Sequence, residues 1–276
     1  MADNLLQFGT NFIWLRQPLG SALCLFCLAP LLALSVGAGS PIEEAAAVKR
    51  PALKSGDIHR FQLTLNIKAH TPMGDQSVKV AETYNTTVKE ATANGSYSLV
   101  YKFEAGKAIV GGMDVDILSF LPVVTVTRGA DGKYSAKTEG GNEEGNAEVA
   151  GVLQQLTANA DNLLPSKPVK AGDKWKLAYA NANGMIGSAK LQGEAELTGK
   201  ERYRDNETLR VKFTADSDEK EPGDKTHTEG MFDINPTSGE IVKFSHKGSG
   251  TFAGGKANVE LVVSALGKDP KDDPKE

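Results

Sequence analysis

The sequence predicts a mainly β protein: one large curved antiparallel sheet or incomplete β-barrel, with a single amphipathic helix near mid-chain. Two related meanders are one reading of its halves. Three observations predict this. The dominant apolar period is two, the mark of half-buried strands. Turn dipeptides such as Asn94-Gly95, Asp131-Gly132, Asn183-Gly184, Ser238-Gly239 and Gly254-Gly255 punctuate the apolar runs, and such pairs tolerate the positive φ of tight hairpins. One segment alone changes its period to that of a helix.

The chain opens on something other than the fold. From Gln17 to Ile42 no residue is charged, and Arg16 stands just before. The apolar core runs Leu19 to Val36, and Val36-Gly37-Ala38 offers small residues at −3 and −1 of a cleavage point. This pattern is a secretory signal peptide over 1–38. The rival reading is an uncleaved N-terminal membrane anchor, for which the run is near the lower length limit. Cys24 and Cys27 both lie in that core. A cleaved chain therefore holds no thiol and no stable membrane span, and packing must hold it together. Residues 39–55, rich in Ala, Pro and Glu, read as a tether.

The β-rich domain is expected over 56–266. Phe61, Leu63, Leu65 and Ile67 alternate with polar residues, as do Tyr97, Leu99, Tyr101 and Phe103. Ile117, Leu118, Phe120, Leu121, Val123 and Val124 form the most apolar stretch, read as core or as a cavity wall. Val149, Val152, Leu153, Leu156, Ala160 and Leu163 then recur at spacings of three and four. A helix over 143–164 follows, with Asn142 as its cap and Pro165 as its stop. Leu209, Val211 and Phe213, and later Ala257, Val259, Leu261 and Val263, restore the period of two. About ten to twelve strands are expected. Ser55-Gly56-Asp57 before the first strand is echoed by Ala171-Gly172-Asp173 after the helix, and Lys102-Phe103 by Lys212-Phe213. The candidate halves are 56–140 and 171–266. Residues 267–276 alternate Lys, Asp and Pro and read as a solvated tail.

The segment Leu164-Pro165-Ser166-Lys167-Pro168-Val169-Lys170-Ala171-Gly172-Asp173-Lys174-Trp175 resembles the L-P-x-x-P-V-x-x-G-D-x-W stretch of a bacterial family of exported proteins of unknown function. The resemblance implies a secreted or periplasmic β-rich fold and brings no catalytic residues. A more distant likeness, at the level of fold, is to the periplasmic lipoprotein carriers: incomplete barrels with a helix on the concave face and an apolar cavity. In the residues themselves, Pro165 and Pro168 force an extended path, Gly172-Asp173 turns, and Trp175 buries its ring.

With 276 residues, a net charge of −4 and mixed signs along the chain, a nucleic-acid surface is not expected. His59, His70, His227 and His246 are widely spaced in polar surroundings and read as surface residues. No metal-ligand spacing, phosphate-binding loop or nucleophile elbow is recognisable, so no catalytic residue, metal or cofactor is expected. The expected function is an exported, non-enzymatic binding protein for a lipid, a lipidated chain or another apolar small molecule, periplasmic or extracellular. The alternative is a structural or interaction module of the cell envelope without a pocket. Leu153 and Leu156 on the helix, Ile117 and Phe120 in the apolar stretch, and Trp175 are the candidate ligand-binding residues.

Overall fold

The computed structural model describes residues 48, 53–72, 74–141, 143–180, 190–204, 206–217, 226–252 and 255–267. The leader, Asn142, Asn183-Gly184, Gly254 and the tail beyond 267 lie outside them. The described strands are β1 (Ile58–Thr71), β2 (Gly74–Ala91), β3 (Tyr97–Val110), β4 (Met113–Asp116), β5 (Val123–Arg128) and β6 (Tyr134–Glu139). After the helix α1 (Glu143–Leu163) come β7 (Lys174–Ala180), β8 (Lys190–Tyr203), β9 (Asn206–Ser217), β10 (His227–Ile234), β11 (Ile241–Phe252) and β12 (Gly255–Ala265).

All twelve belong to one antiparallel sheet in the order β6-β5-β3-β2-β1-β12-β11-β10-β9-β8-β7, with β4 paired to β3 off this path. The sheet does not close, and β6 and β7 are its edges. Laid flat, eleven strands would separate these edges by about 48 Å at 4.8 Å per strand. Yet α1, only about 10 Å across, packs on β5, β6 and β7 alike. Both edges reach the same helix only because the sheet curls into an incomplete barrel, with α1 standing across the gap.

The period of two explains which face is inside. In β1, Phe61, Leu63, Leu65 and Ile67 are at most 1% exposed, while Gln62, Thr64 and Asn66 face out. Opposite them on β12 are Ala265, Val263, Leu261 and Val259, so burial continues across the seam that joins the first strand to the last. Glycines stand where neighbouring strands approach most closely. A Cβ on Gly230 would lie 2.5 Å from the Ser245 carbonyl oxygen and from Phe213 Cζ. A Cβ on Gly255 would overlap the His70 carbonyl group. Glycine in a strand commonly marks such close backbone approach.

The two halves begin in the same way. Gly56 N–H donates to Val88 O at 2.7 Å, Val88 N–H to Asp57 O at 2.9 Å and Asp57 N–H to Lys54 O at 3.1 Å. Gly172 N–H donates to Leu197 O at 2.7 Å, Leu197 N–H to Asp173 O at 3.1 Å and Asp173 N–H to Lys170 O at 2.9 Å. The register slips just past Val88 and again just past Leu197. The neighbour order also recurs, β6-β5-β3-β2-β1 in one half and β11-β10-β9-β8-β7 in the other. After β11 the chain adds β12, which joins β11 to β1. After β6 it adds α1, which bridges β6 to β7. The helix thus occupies the position that a strand occupies in the second half.

On the convex face, Asp233 is 1% exposed and is held by Arg210 through two bonds, Nε to Oδ1 at 2.8 Å and Nη2 to Oδ2 at 3.0 Å. The hydrogen bond that Arg210 donates to Asp233 raises the guanidinium pKa further, partly offset by its burial. Asp233→Ala is expected to lower stability by about 2–3 kcal/mol, the scale of lost hydrogen bonds to a charged group. Urea unfolding measures it; a change within about 0.5 kcal/mol would mean that the pair behaves like an exposed surface bridge.

Candidate functional site

The concave face is one continuous apolar cluster, to which nearly all the strands and α1 contribute. The helix is tied to it at two places, mid-helix and at its C-terminal end. Leu153 is 2% and Leu156 7% exposed, both within the cluster. Between them and the sheet, Thr157 Oγ1 donates to Leu153 O at 2.7 Å and lies 3.2 Å from the hydroxyl of Tyr101 on β3; both side chains are fully buried. At the C-terminal end Trp175 Nε1–H donates to Leu163 O at 3.1 Å. That satisfies one of the carbonyls that every helix end leaves without a partner. The Trp175 ring is partly buried against the cluster.

The apolar stretch after β4 divides. Ile117 is fully buried and Leu121 8% exposed, and Ile117 N–H donates to Gly106 O at 3.1 Å. Their side chains pack over Gly106, where an added Cβ would meet Ile117 Cγ1 at 2.9 Å. Phe120, in the 3-10 turn Leu118–Phe120, is 43% exposed. The structure therefore brings Leu153, Leu156, Ile117 and Trp175 into one cluster and leaves Phe120 outside it.

Several polar groups interrupt the apolar wall. Glu82 on β2 is 1% exposed and both carboxyl oxygens are without a hydrogen-bond partner. Burial pushes its pKa well above the usual carboxylate range. Four residues further along the same strand, Thr86 is 6% exposed with its hydroxyl unpaired. It sits directly opposite His59 on β1, whose Nε2 is likewise enclosed and unpaired while Nδ1 lies 3.5 Å from Glu240 Oε1. His246 on β11 stacks on Phe213 and Phe244, with ring centroids 6.4 and 6.3 Å away. The residue keeps some exposure, but Nδ1 is enclosed without a partner, and burial lowers the imidazole to about 4.

These positions correct the surface reading of the histidines. His70 and His227 are exposed, each beside an aspartate, Asp75 and Asp216. His59 and His246 stand in the inward phase of their strands. The sequence reading also passed over Glu82. Its signal was available: Val78, Val80, Tyr84 and Val88 alternate, and between Val78 and Val88 Glu82 is the one acid in that phase. Among the described residues, no three His, Cys, Asp or Glu side chains come together as a metal centre would require. A groove of about 500 Å³ on the convex face is lined among others by the polar and charged side chains of Asn66, Lys68, Glu229, Lys247, Asn258 and Glu260. Its Lys247 and Glu260 already pair at 3.3 Å.

Fold and site together define an open, curled antiparallel sheet with a helix across its gap and a buried, unpaired carboxyl in an apolar wall. No protein-family model matches the chain, so none supports the family resemblance of the 164–175 segment, and no curated protein matches it. Among solved structures it is similar to lipovitellin, from a study of lipid–protein interactions, with a TM-score of 0.47 and 13% identity. That match covers 81% of this chain but only 26% of lipovitellin. It is also similar to the hypothetical lipoprotein YmcC of Escherichia coli K12, with a TM-score of 0.30, 12% identity and coverage of 76% and 85%. A third likeness is to a domain described as an outer membrane lipoprotein-sorting protein, from Vibrio parahaemolyticus. Its TM-score is 0.19 at 8% identity, covering 77% and 88%.

Proposed function

We propose that this protein is an exported, non-enzymatic binder of an apolar ligand, a lipid or lipidated chain, held between the concave face and α1. Glu82 carries the reading. An unpaired buried carboxyl costs about 1–3 kcal/mol, and unsatisfied groups of this kind commonly mark a missing partner, such as an unplaced water, or a functional role. A wall serving only as packing has no use for it. Leu153, Leu156, Ile117 and Trp175 are the apolar contacts of the ligand. The leader is cleaved after Ala38, and the domain over 56–266 is built from two related halves, a reading supported by their matching opening hydrogen bonds.

A second reading rests on another observation. Leu63, Tyr101, Ile117, Val124, Val126, Val211 and Leu261 have essentially no accessible surface, as in a filled interior. That favours an envelope module without a pocket. Titration with the neutral apolar dye N-phenyl-1-naphthylamine separates the two. Saturable binding near micromolar concentration, lost in Leu153→Asp because an unpaired charge then stands on the helix stripe, is expected for the binder. An unmutated protein, folded by circular dichroism, that takes up no dye is the module.

A further inference from the structure

We infer that Glu82 receives the polar end of the ligand, and that this end is an amino group on an aliphatic tail; the inference deepens the apolar-ligand reading and rests on it. Among the described residues, Glu82 has no hydrogen-bond partner and no counter-charge. Its neighbours on the concave face are Leu63 on β1 and Gly106 on β3, with Val80 and Tyr84 on its own strand. Ile117 closes over Gly106 beside it. None of these is charged.

The fold does not need a carboxyl at this place. Val88 and Leu197 make the same pair of backbone bonds at the start of their halves. Six residues earlier along each strand stand Glu82 and Leu191, both turned inward and both buried. In the second half a leucine, 2% exposed, fills the corresponding position. The acid is therefore an addition to a wall that packs without it.

The chemistry of that addition narrows the ligand. A carboxylate or phosphate head would set two acids together in a dry site, which disfavours the ionisation of both. A plain hydrocarbon would leave both carboxyl oxygens unpaired. A hydroxyl offers them one donor. An ammonium offers three donors and the missing charge, so it gains most from a site that excludes water.

Displacement of N-phenyl-1-naphthylamine by dodecylamine, dodecanol and dodecanoate tests this with one tail and three heads. Dodecylamine is expected to bind at least about tenfold more tightly than dodecanol, in line with the value of a charge-assisted bond, and dodecanoate least. Glu82→Leu, which copies Leu191 of the second half, should fold, keep the dye and lose the preference for the amine. Glu82→Gln, which keeps the shape without the charge, should bring the amine down to the level of the alcohol. If the dye binds but the three heads rank alike in the unmutated protein and in Glu82→Leu, the amine inference is overturned while the apolar-ligand reading stands. If neither dye nor any of the three binds the unmutated protein, both fall.

Discussion

Trp175→Ala is expected to destabilise the protein by about 3 kcal/mol, the low end of the cost of removing a large aromatic side chain from a core, because the ring is only partly buried. Trp175 joins three parts at once. Its ring packs against the apolar cluster, its indole N–H closes the end of α1 at Leu163 O, and its backbone pairs with Ala195 on β8. Trp175→Phe keeps most of the ring and loses the hydrogen bond, so it should cost only about 1 kcal/mol more than the repacking itself. Urea unfolding of both variants separates packing from capping. A loss below about 0.5 kcal/mol in Trp175→Ala, with dye binding abolished, would assign the ring to the ligand alone, with no share in the core.

The second large effect is a gain. Glu82→Leu is expected to stabilise the protein by about 1–3 kcal/mol near neutral pH, by removing an unpaired buried polar group. The gain should depend on pH. Burial raises the folded-state pKa of Glu82, so the folded chain keeps a proton that the unfolded chain releases above its ordinary value. The stability linked to this group is full below that ordinary value and lost as pH rises toward the folded one. His246 acts in the opposite sense. Its folded pKa is about 4 against 6.5, so stability is lost as pH falls from 6.5 to about 4. Between about 4.5 and 6.5 the two slopes oppose each other. The advantage of Glu82→Leu over the unmutated protein should widen as pH rises above about 4.5, and His246→Phe should flatten the loss on the acid side. Equal gains for Glu82→Leu at both ends of a urea series from acid to neutral pH would contradict a neutral buried carboxyl.

The strands and the helix were legible because burial follows a simple period. Phe61 to Ile67 and Ala257 to Val263 alternate in the sequence and face the same interior in the structure. Val149 to Leu163 repeat at helical spacing, and the observed helix ends one residue before the expected limit. The pairing of β1 with β12 was not legible, because nothing local records which edge a strand will find. The candidate site was half legible. Leu153, Leu156, Ile117 and Trp175 are apolar residues in apolar phases, and burial gathered them. Phe120 belongs to the same run, but the 3-10 turn breaks the alternation there and points it outward. Glu82, His59 and His246 were missed for the converse reason. A polar residue reads as exposed unless its phase is followed along the whole strand, and in β2 and β11 the phase, not the residue type, decides the face.

The seam between β1 and β12 also sets an order of events for the growing chain. β1 finds β2 across a short turn, but its other edge has no partner until the final strand of the sheet has been made. Most of the domain lies between the two. Such distant pairing makes folding slow, and it leaves one long backbone edge bare throughout synthesis. The last strand joins the two runs of strands, and until it is made β1 and β11 each keep one bare edge.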